Sequence, residues 1–302
     1  MAVSTVQVII NGVTTSLKYN SQSGLYEADI TAPAKSSFNQ SKKYYPVTIK
    51  ATDDAGNTTQ KNDTDVTIGS SLKLTVKEKN KPVITVVSPT EDAHITDNTP
   101  TITWKVTDDD SGIKSETISI IVDNGQKITS GITKTPITSG YQCSYTVPPE
   151  LSDGQHTFKF DVQDNDGNAA IQRTLNIVVD TIPPTLSIDS PTNNLITNKT
   201  TIALSGTTND KTSNPVTVKY QLNGSSPVNV AVGSNGAFST TLSLREGINT
   251  IIVIATDKAG KTSSITKNVE LDTRAPVISE AKISPNPAET ESVVHITAKV
   301  TD

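Results

Sequence analysis

The chain has 302 residues, of which 33% are hydrophobic and only 4% aromatic, and carries a formal net charge of −5. That length predicts about two or three domains, and the mild acidity leaves no basic face for phosphate, so neither nucleic acid nor a membrane is an expected partner. A single cysteine, Cys143, excludes an intrachain disulfide, and packing and ladder hydrogen bonds must hold the fold.

Residues 1–30 lack a basic start followed by an uninterrupted apolar run, so no signal peptide is expected. No stretch reaches the roughly 18 to 20 apolar residues that cross a bilayer. Val6, Val8 and Ile10 instead alternate with polar residues up to Asn11-Gly12, the pattern of a strand entering a tight hairpin. Val6–Gly12 aligns with Ser119–Gly125 and Val218–Gly224 further on. The first module, residues 1–80, is therefore expected to start mid-module, without its first two strands.

An alternating strand, Val47/Ile49/Ala51, leads into Lys50-Ala51-Thr52-Asp53-Asp54-Ala55-Gly56-Asn57. The same element returns as Phe158/Phe160/Val162 with Asp161-Val162-Gln163-Asp164-Asn165-Asp166-Gly167-Asn168. It returns again as Ile251/Val253/Ala255 with Ile254-Ala255-Thr256-Asp257-Lys258-Ala259-Gly260-Lys261. A repeat of about 93 to 111 residues is the size of a whole small domain, so the chain reads as an array of similar modules. Period-2 alternation with one apolar face marks antiparallel sandwich strands.

Ser71–Lys77 also alternates and is expected to form an extra strand at the vacant edge of the first module. Each later module opens behind a proline, Pro82 to Ser88-Pro89, Pro184 to Ser190-Pro191 and Pro276 to Ser284-Pro285. Two junctions match closely, Asp180-Thr181-Ile182-Pro183-Pro184 and Asp272-Thr273-Arg274-Ala275-Pro276, and read as short semi-rigid hinges. The modules are assigned to residues 81–181, 182–273 and an incomplete 274–302 of two strands. About seven strands per 90 to 100 residues predict the fold class: all-β, tandem immunoglobulin-like β-sandwich modules in an elongated rod. Two strands cannot bury enough surface to stand alone, so either the chain is cut from a longer array or the C-terminal pair docks by strand addition onto another copy or a partner.

For chemistry the chain offers little. His94 and His156 are 62 positions apart in the second module and His295 lies in the last, none with a ligand-spaced neighbour, and Cys143 alternates with Tyr141 and Tyr145 as a packing residue. Catalytic glycine motifs are lacking. No catalytic residue, cofactor-binding residue or metal ligand is assigned, and the chain is read as a non-enzyme. Asp108-Asp109-Asp110 and Asp164/Asp166 suit Ca²⁺ by chemistry. They are assigned to turn geometry, because Lys258 and Lys261 break the acidic run in the third module and Asp53-Asp54 has no triplet. Trp104, between Ile102 and Val106, is expected in the core, leaving Tyr44-Tyr45 and Tyr141/Tyr145 as the aromatics for a glycan, with at least one of each pair outside.

The Ala-Thr-Asp-x-Ala-Gly turns, Asp-Thr-x-x-Pro hinges and Ser-Pro-Thr openings resemble bacterial Ig-like repeats. The order of unlike modules, from Val6-Gln7-Val8-Ile9-Ile10-Asn11-Gly12 through Tyr44-Tyr45-Pro46-Val47 to Val300-Thr301-Asp302, resembles Ig-like virion proteins of tailed phages and prophages of Gram-positive bacteria. That resemblance implies a structural tail or tail-tip protein, assembled in the host cytoplasm, whose incomplete last module is a natural end. It implies other virion proteins as partners; a second copy of the chain, through the incomplete C-terminal module, and host cell-surface glycans are the further expected partners. The alternative is a fragment of a bacterial cell-surface adhesin.

Overall fold

The computed structural model describes residues 2–302. Among them there are 24 strands and three 3-10 turns, at Ser37–Asn39, Gly69–Leu72 and Ser115–Thr117, and no α-helix.

The first six strands are β1 (Val3–Ile10), β2 (Val13–Asn20), β3 (Leu25–Glu27), β4 (Tyr45–Asp53), β5 (Thr58–Lys61) and β6 (Lys73–Leu74). They form one sheet of order β3-β2-β1-β4-β5, with β6 also on β4. The β1–β2 hairpin turns on Asn11 and Gly12, at φ 49° and 78°, the two positive values that a type I′ turn requires. Val6, Val8, Tyr45 and Leu72 are buried. Val47, Ile49 and Ala51, the predicted core face of β4, are only half-buried.

The extra strand expected near 71–77 is present but short. Only Lys73 and Leu74 join the sheet, opposite Pro46 and Tyr45. Ser71 and Leu72 belong to a 3-10 turn. The Val76 carbonyl is taken by Ser37, whose N–H and Oγ donate to it at 2.9 and 3.0 Å, and this draws the chain off the ladder.

The next eight strands are β7 (Val83–Ser88), β8 (Ala93–Ile95), β9 (Thr101–Thr107), β10 (Ser119–Val122), β11 (Thr133–Ile137), β12 (Gly140–Thr146), β13 (Gly154–Asp161) and β14 (Arg173–Val179). They form two sheets, β11-β12-β9-β7 and β10-β13-β14-β8. Trp104 on β9 is fully buried and meets Phe160 on β13 with ring centroids 5.0 Å apart. Cys143 lies opposite Trp104 in the β12–β9 register and is buried, as expected of a packing residue.

The same plan recurs in β15 (Thr185–Ser190), β16 (Leu195–Thr197), β17 (Thr201–Asn209), β18 (Thr217–Leu222), β19 (Val228–Val230), β20 (Ala237–Ser243), β21 (Gly247–Thr256) and β22 (Thr262–Leu271). Its sheets are β15-β17-β20 and β16-β22-β21-β18-β19, around a core that includes Leu204, Phe238, Ile251, Val253 and Val269. Each of these two modules has eight strands where about seven were expected. The short β8 and β16 span three residues each, too few for period-2 alternation to show; β16 runs parallel to β22.

The last strands, β23 (Val277–Ser284) and β24 (His295–Thr301), pair antiparallel with each other. Their register slips between Ile278 and Glu280, as β7–β9 slips at Val86/Ser88 and β15–β17 at Ile188/Ser190. Every residue of the pair is exposed. The face that buries Ile102, Trp104 and Val106 on β9 is bare in Ile296, Ala298 and Val300.

By contact the chain separates into two compact units. One takes in residues up to Ala93, Thr99–Leu151 and Gln155–Ile177; the other takes in His94–Asn98, Ser152–Gly154 and Val178–Asp302.

Candidate cation sites at two carboxylate clusters

Each unit gathers three carboxylates. In the second, one oxygen from each of Asp180, Asp210 and Asp257 lies within 4.8 Å of the other two. In the first, Glu78, Asp108 and Asp164 meet the same condition.

The two clusters are built from equivalent positions. Glu78 and Asp180 stand four residues before Pro82 and Pro184, in the strap that enters each opening strand. Asp108 and Asp210 directly follow β9 and β17. Asp164 and Asp257 begin the Asp-x-x-Gly turns that follow β13 and β21.

Turn chemistry accounts for half of each aspartate. Asp210 Oδ1 accepts the N–H groups of Thr212 and Ser213 at 2.7 and 2.6 Å. Asp257 Oδ1 accepts the Lys261 N–H at 2.9 Å, and Asp180 Oδ1 that of Ile182 at 3.2 Å. Asp108 Oδ1 takes the N–H groups of Asp110 and Gly112 at 3.0 and 2.7 Å. Such side-chain caps are what Asp supplies in a turn, so Asp108 and Asp164 do hold the turns assigned to them.

The remaining oxygens differ between the clusters. Asp164 Oδ2 accepts the Asn168 side-chain amide at 2.7 Å. Lys261 occupies the corresponding place after Asp257 and gives no such amide; Asp257 Oδ2 is buried without a hydrogen-bond partner, as is Asp180 Oδ2. Asp180, Asp210 and Asp257 are 1%, 5% and 6% exposed. Among the described residues no Lys, Arg or His forms an ion pair with them. In the first unit Glu78 Oε1 accepts the Ser111 N–H at 2.6 Å and Oε2 is unpartnered. Burial holds the Glu78 carboxyl above its ordinary range, and the charges of Asp108 and Asp110 add to the rise.

The other singled-out residues are not brought together. Asp110 instead accepts the Ser36 N–H at 3.0 Å, and Asp166 Oδ2 accepts the Glu78 N–H at 3.0 Å. His94 Nδ1 lies 2.9 Å from Ser213 Oγ, and His295 is exposed on β24. His156 is buried with Nδ1 2.6 Å from Asp123 Oδ2, a carboxylate partner too distant in sequence to be seen from spacing. Tyr45 and Tyr145 are buried and Tyr44 and Tyr141 half-buried. The exposed ring is Tyr19, which contacts Tyr26 at 5.3 Å between centroids across the β2–β3 pair. A cross-strand pair of this kind needs the register before it can be recognised.

Sequence reading also passed over Glu78, Asp180 and Asp210. The signal was present: Asp180 opens the hinge motif, and Asp210 repeats Asp108 at the end of the second full strand.

Residues 85–181 match the family model described as Bacterial Ig-like domain, and residues 184–273 the model described as Glucodextranase, domain B. Among curated proteins the chain is similar to the PII-type proteinase of Lactococcus lactis subsp. cremoris, 29% identical over 154 residues, covering 48% of this chain and 8% of that protein. It is also similar to Bacillopeptidase F of Bacillus subtilis (strain 168), 25% identical over 194 residues, covering 64% of this chain and 12% of that protein. The chain thus aligns with about a tenth of the length of these relatives. Solved structures similar to it include the fibronectin(III)-like modules of Clostridium thermocellum CbhA (TM-score 0.40, 16% identity, covering 63% of this chain and 94% of that one). Another is Sidekick-1 immunoglobulin domains 1-5 (TM-score 0.38, 12% identity, covering 99% and 60%). The chain is an all-β protein of tandem immunoglobulin-like modules.

Proposed function

We propose that these modules act on the bacterial cell surface as a non-catalytic array that spaces neighbouring parts and makes weak adhesive contacts. The observation that carries the reading is the kind of sequence shared with the proteinases. The aligned portion is 8% and 12% of their length, and this chain is built of tandem Ig-like modules. What is shared is therefore a run of modules and not a whole enzyme. Sandwiches of this type are scaffolds for many functions, and a repeated module gains avidity when its contacts are individually weak.

The phage-virion reading rests on sequence resemblance alone. The relatives reported above are bacterial proteinases, and this favours the surface reading over it. Gold-labelled antibody against the purified chain, applied to intact cells and released particles from an induced culture carrying the gene, tests the choice. Label on cell envelopes is expected; label on particle tails with bare envelopes would discard the surface assignment.

A further inference from the structure

We propose that Asp180, Asp210 and Asp257 form a calcium site. The inference concerns this module's own chemistry and does not depend on where the protein acts.

Three carboxylates approach within 4.8 Å and are almost wholly removed from solvent. Ionised carboxylates in that arrangement repel one another and lose hydration, and a buried polar atom without a partner is costly. Two oxygens here, Asp180 Oδ2 and Asp257 Oδ2, are buried and unpartnered. A cation bound between the side chains satisfies both oxygens and offsets the repulsion.

The hinge alone does not require this burial. Asp272 occupies the matching hinge, and its main-chain contacts are the same: its N–H donates to Thr197 O and its Oδ1 accepts the Arg274 N–H, as Asp180 N–H donates to Ile95 O and Asp180 Oδ1 accepts from Ile182. Asp272 is only half-buried and belongs to neither cluster. What sets Asp180 apart is the pair of acids brought to it by the ends of β17 and β21. The Glu78/Asp108/Asp164 cluster repeats the arrangement at equivalent positions, although there Asn168 already occupies one Asp164 oxygen.

The donor set selects the ion. All three ligands are hard oxygens, with no imidazole or thiolate in the cluster, which disfavours zinc. Calcium binds oxygens at about 2.3 to 2.6 Å in flexible geometry. Oxygens no more than 4.8 Å apart need close by at most a few tenths of an ångström to surround a common centre at that radius. Turn-borne side chains do not impose the near-ideal octahedron that magnesium demands. A cleft of about 290 Å³ lined by Asp153, Asp180, Asn209, Asp210 and Lys211 gives access from solvent.

Calorimetric titration of the chelator-stripped full chain with calcium chloride tests the site, alongside Asp180→Asn and Asp210→Asn. Each Asn retains an Oδ1 able to accept its turn's N–H while removing one charge. Each variant is expected to bind one calcium ion fewer than the wild type. Without calcium each is expected to melt no lower than the wild type, since a crowded charge is gone. At a hundredfold excess of calcium over Kd the wild-type module melts roughly 10 °C or more higher, and neither variant's matching transition moves. Unchanged stoichiometry in both variants, or no calcium heat in the wild type at millimolar concentration, would overturn the proposal. Magnesium binding of equal affinity would contradict the choice of ion.

Discussion

Asp180 and Asp257 bring carboxylate oxygens within 4.8 Å of each other while each also accepts a main-chain N–H within its own turn. Turn former and ligand are therefore not competing roles. One oxygen fixes the local backbone and the other is left buried and unpartnered, so the geometry of the cluster is set before any ion arrives. This preorganisation lowers the ordering cost of binding.

Replacing Trp104 by Ala should be the most damaging single core change. The ring is fully buried and packs on Phe160 at 5.0 Å, and truncating such a side chain costs about 3 to 5 kcal/mol. Denaturant unfolding followed by circular dichroism should show an early transition for one module. A midpoint shift worth less than about 1 kcal/mol would mean that the pocket collapses or that the packing differs.

Asn249 is a buried polar residue with a full set of partners. Its Oδ1 accepts the Arg245 N–H and the Asn223 amide, both at 2.9 Å, and its Nδ2 donates to the carbonyls of Arg245 and Gly247 at 2.7 and 2.9 Å. Asn249→Ala strands these groups and should destabilise the module by about 2 to 3 kcal/mol. Asn249→Asp sets a buried carboxylate oxygen against the two carbonyls that Nδ2 serves and should cost at least as much as Ala; a neutral Ala variant would show that the corner into β21 is not held this way.

Burial pushes the Cys143 thiol up from 9.0 to about 11. Since the folded thiol keeps its proton where the unfolded one loses it, the associated stability is present below pH 9 and declines as pH rises towards 11. At pH 8 a thiol reagent such as DTNB should leave native protein unlabelled and react at once in guanidinium. Rapid labelling of the native chain would contradict the burial.

Deleting residues 275–302 should leave the melting transitions of the remaining modules unchanged, because every residue of β23 and β24 is exposed. Scanning calorimetry of the two forms decides this. A lowered transition in the shortened chain would show that the strand pair supports another part of the molecule.

The sandwich plan was legible because its signals are local. Val253 and Ala255 alternate, Asn223-Gly224 marks a hairpin, and Pro184 opens a strand, each within a few residues. The strand near Ser71–Lys77 is shorter than its alternation suggests, because alternation cannot report that Val76 O is already engaged by Ser37. β16 escaped notice because three residues carry no period. The carboxylate clusters were hidden for a different reason: Asp180, Asp210 and Asp257 lie far apart in sequence, and each has a sufficient local explanation as a turn residue. Only the fold brings one oxygen from each together.

The most direct test of the calcium site is a crystal grown in calcium and measured at long wavelength, where the ion's anomalous scattering identifies it. A peak bonded at about 2.4 Å to oxygens of Asp180, Asp210 and Asp257 is the predicted result. Carboxylates with no such peak between them at saturating calcium would contradict the account.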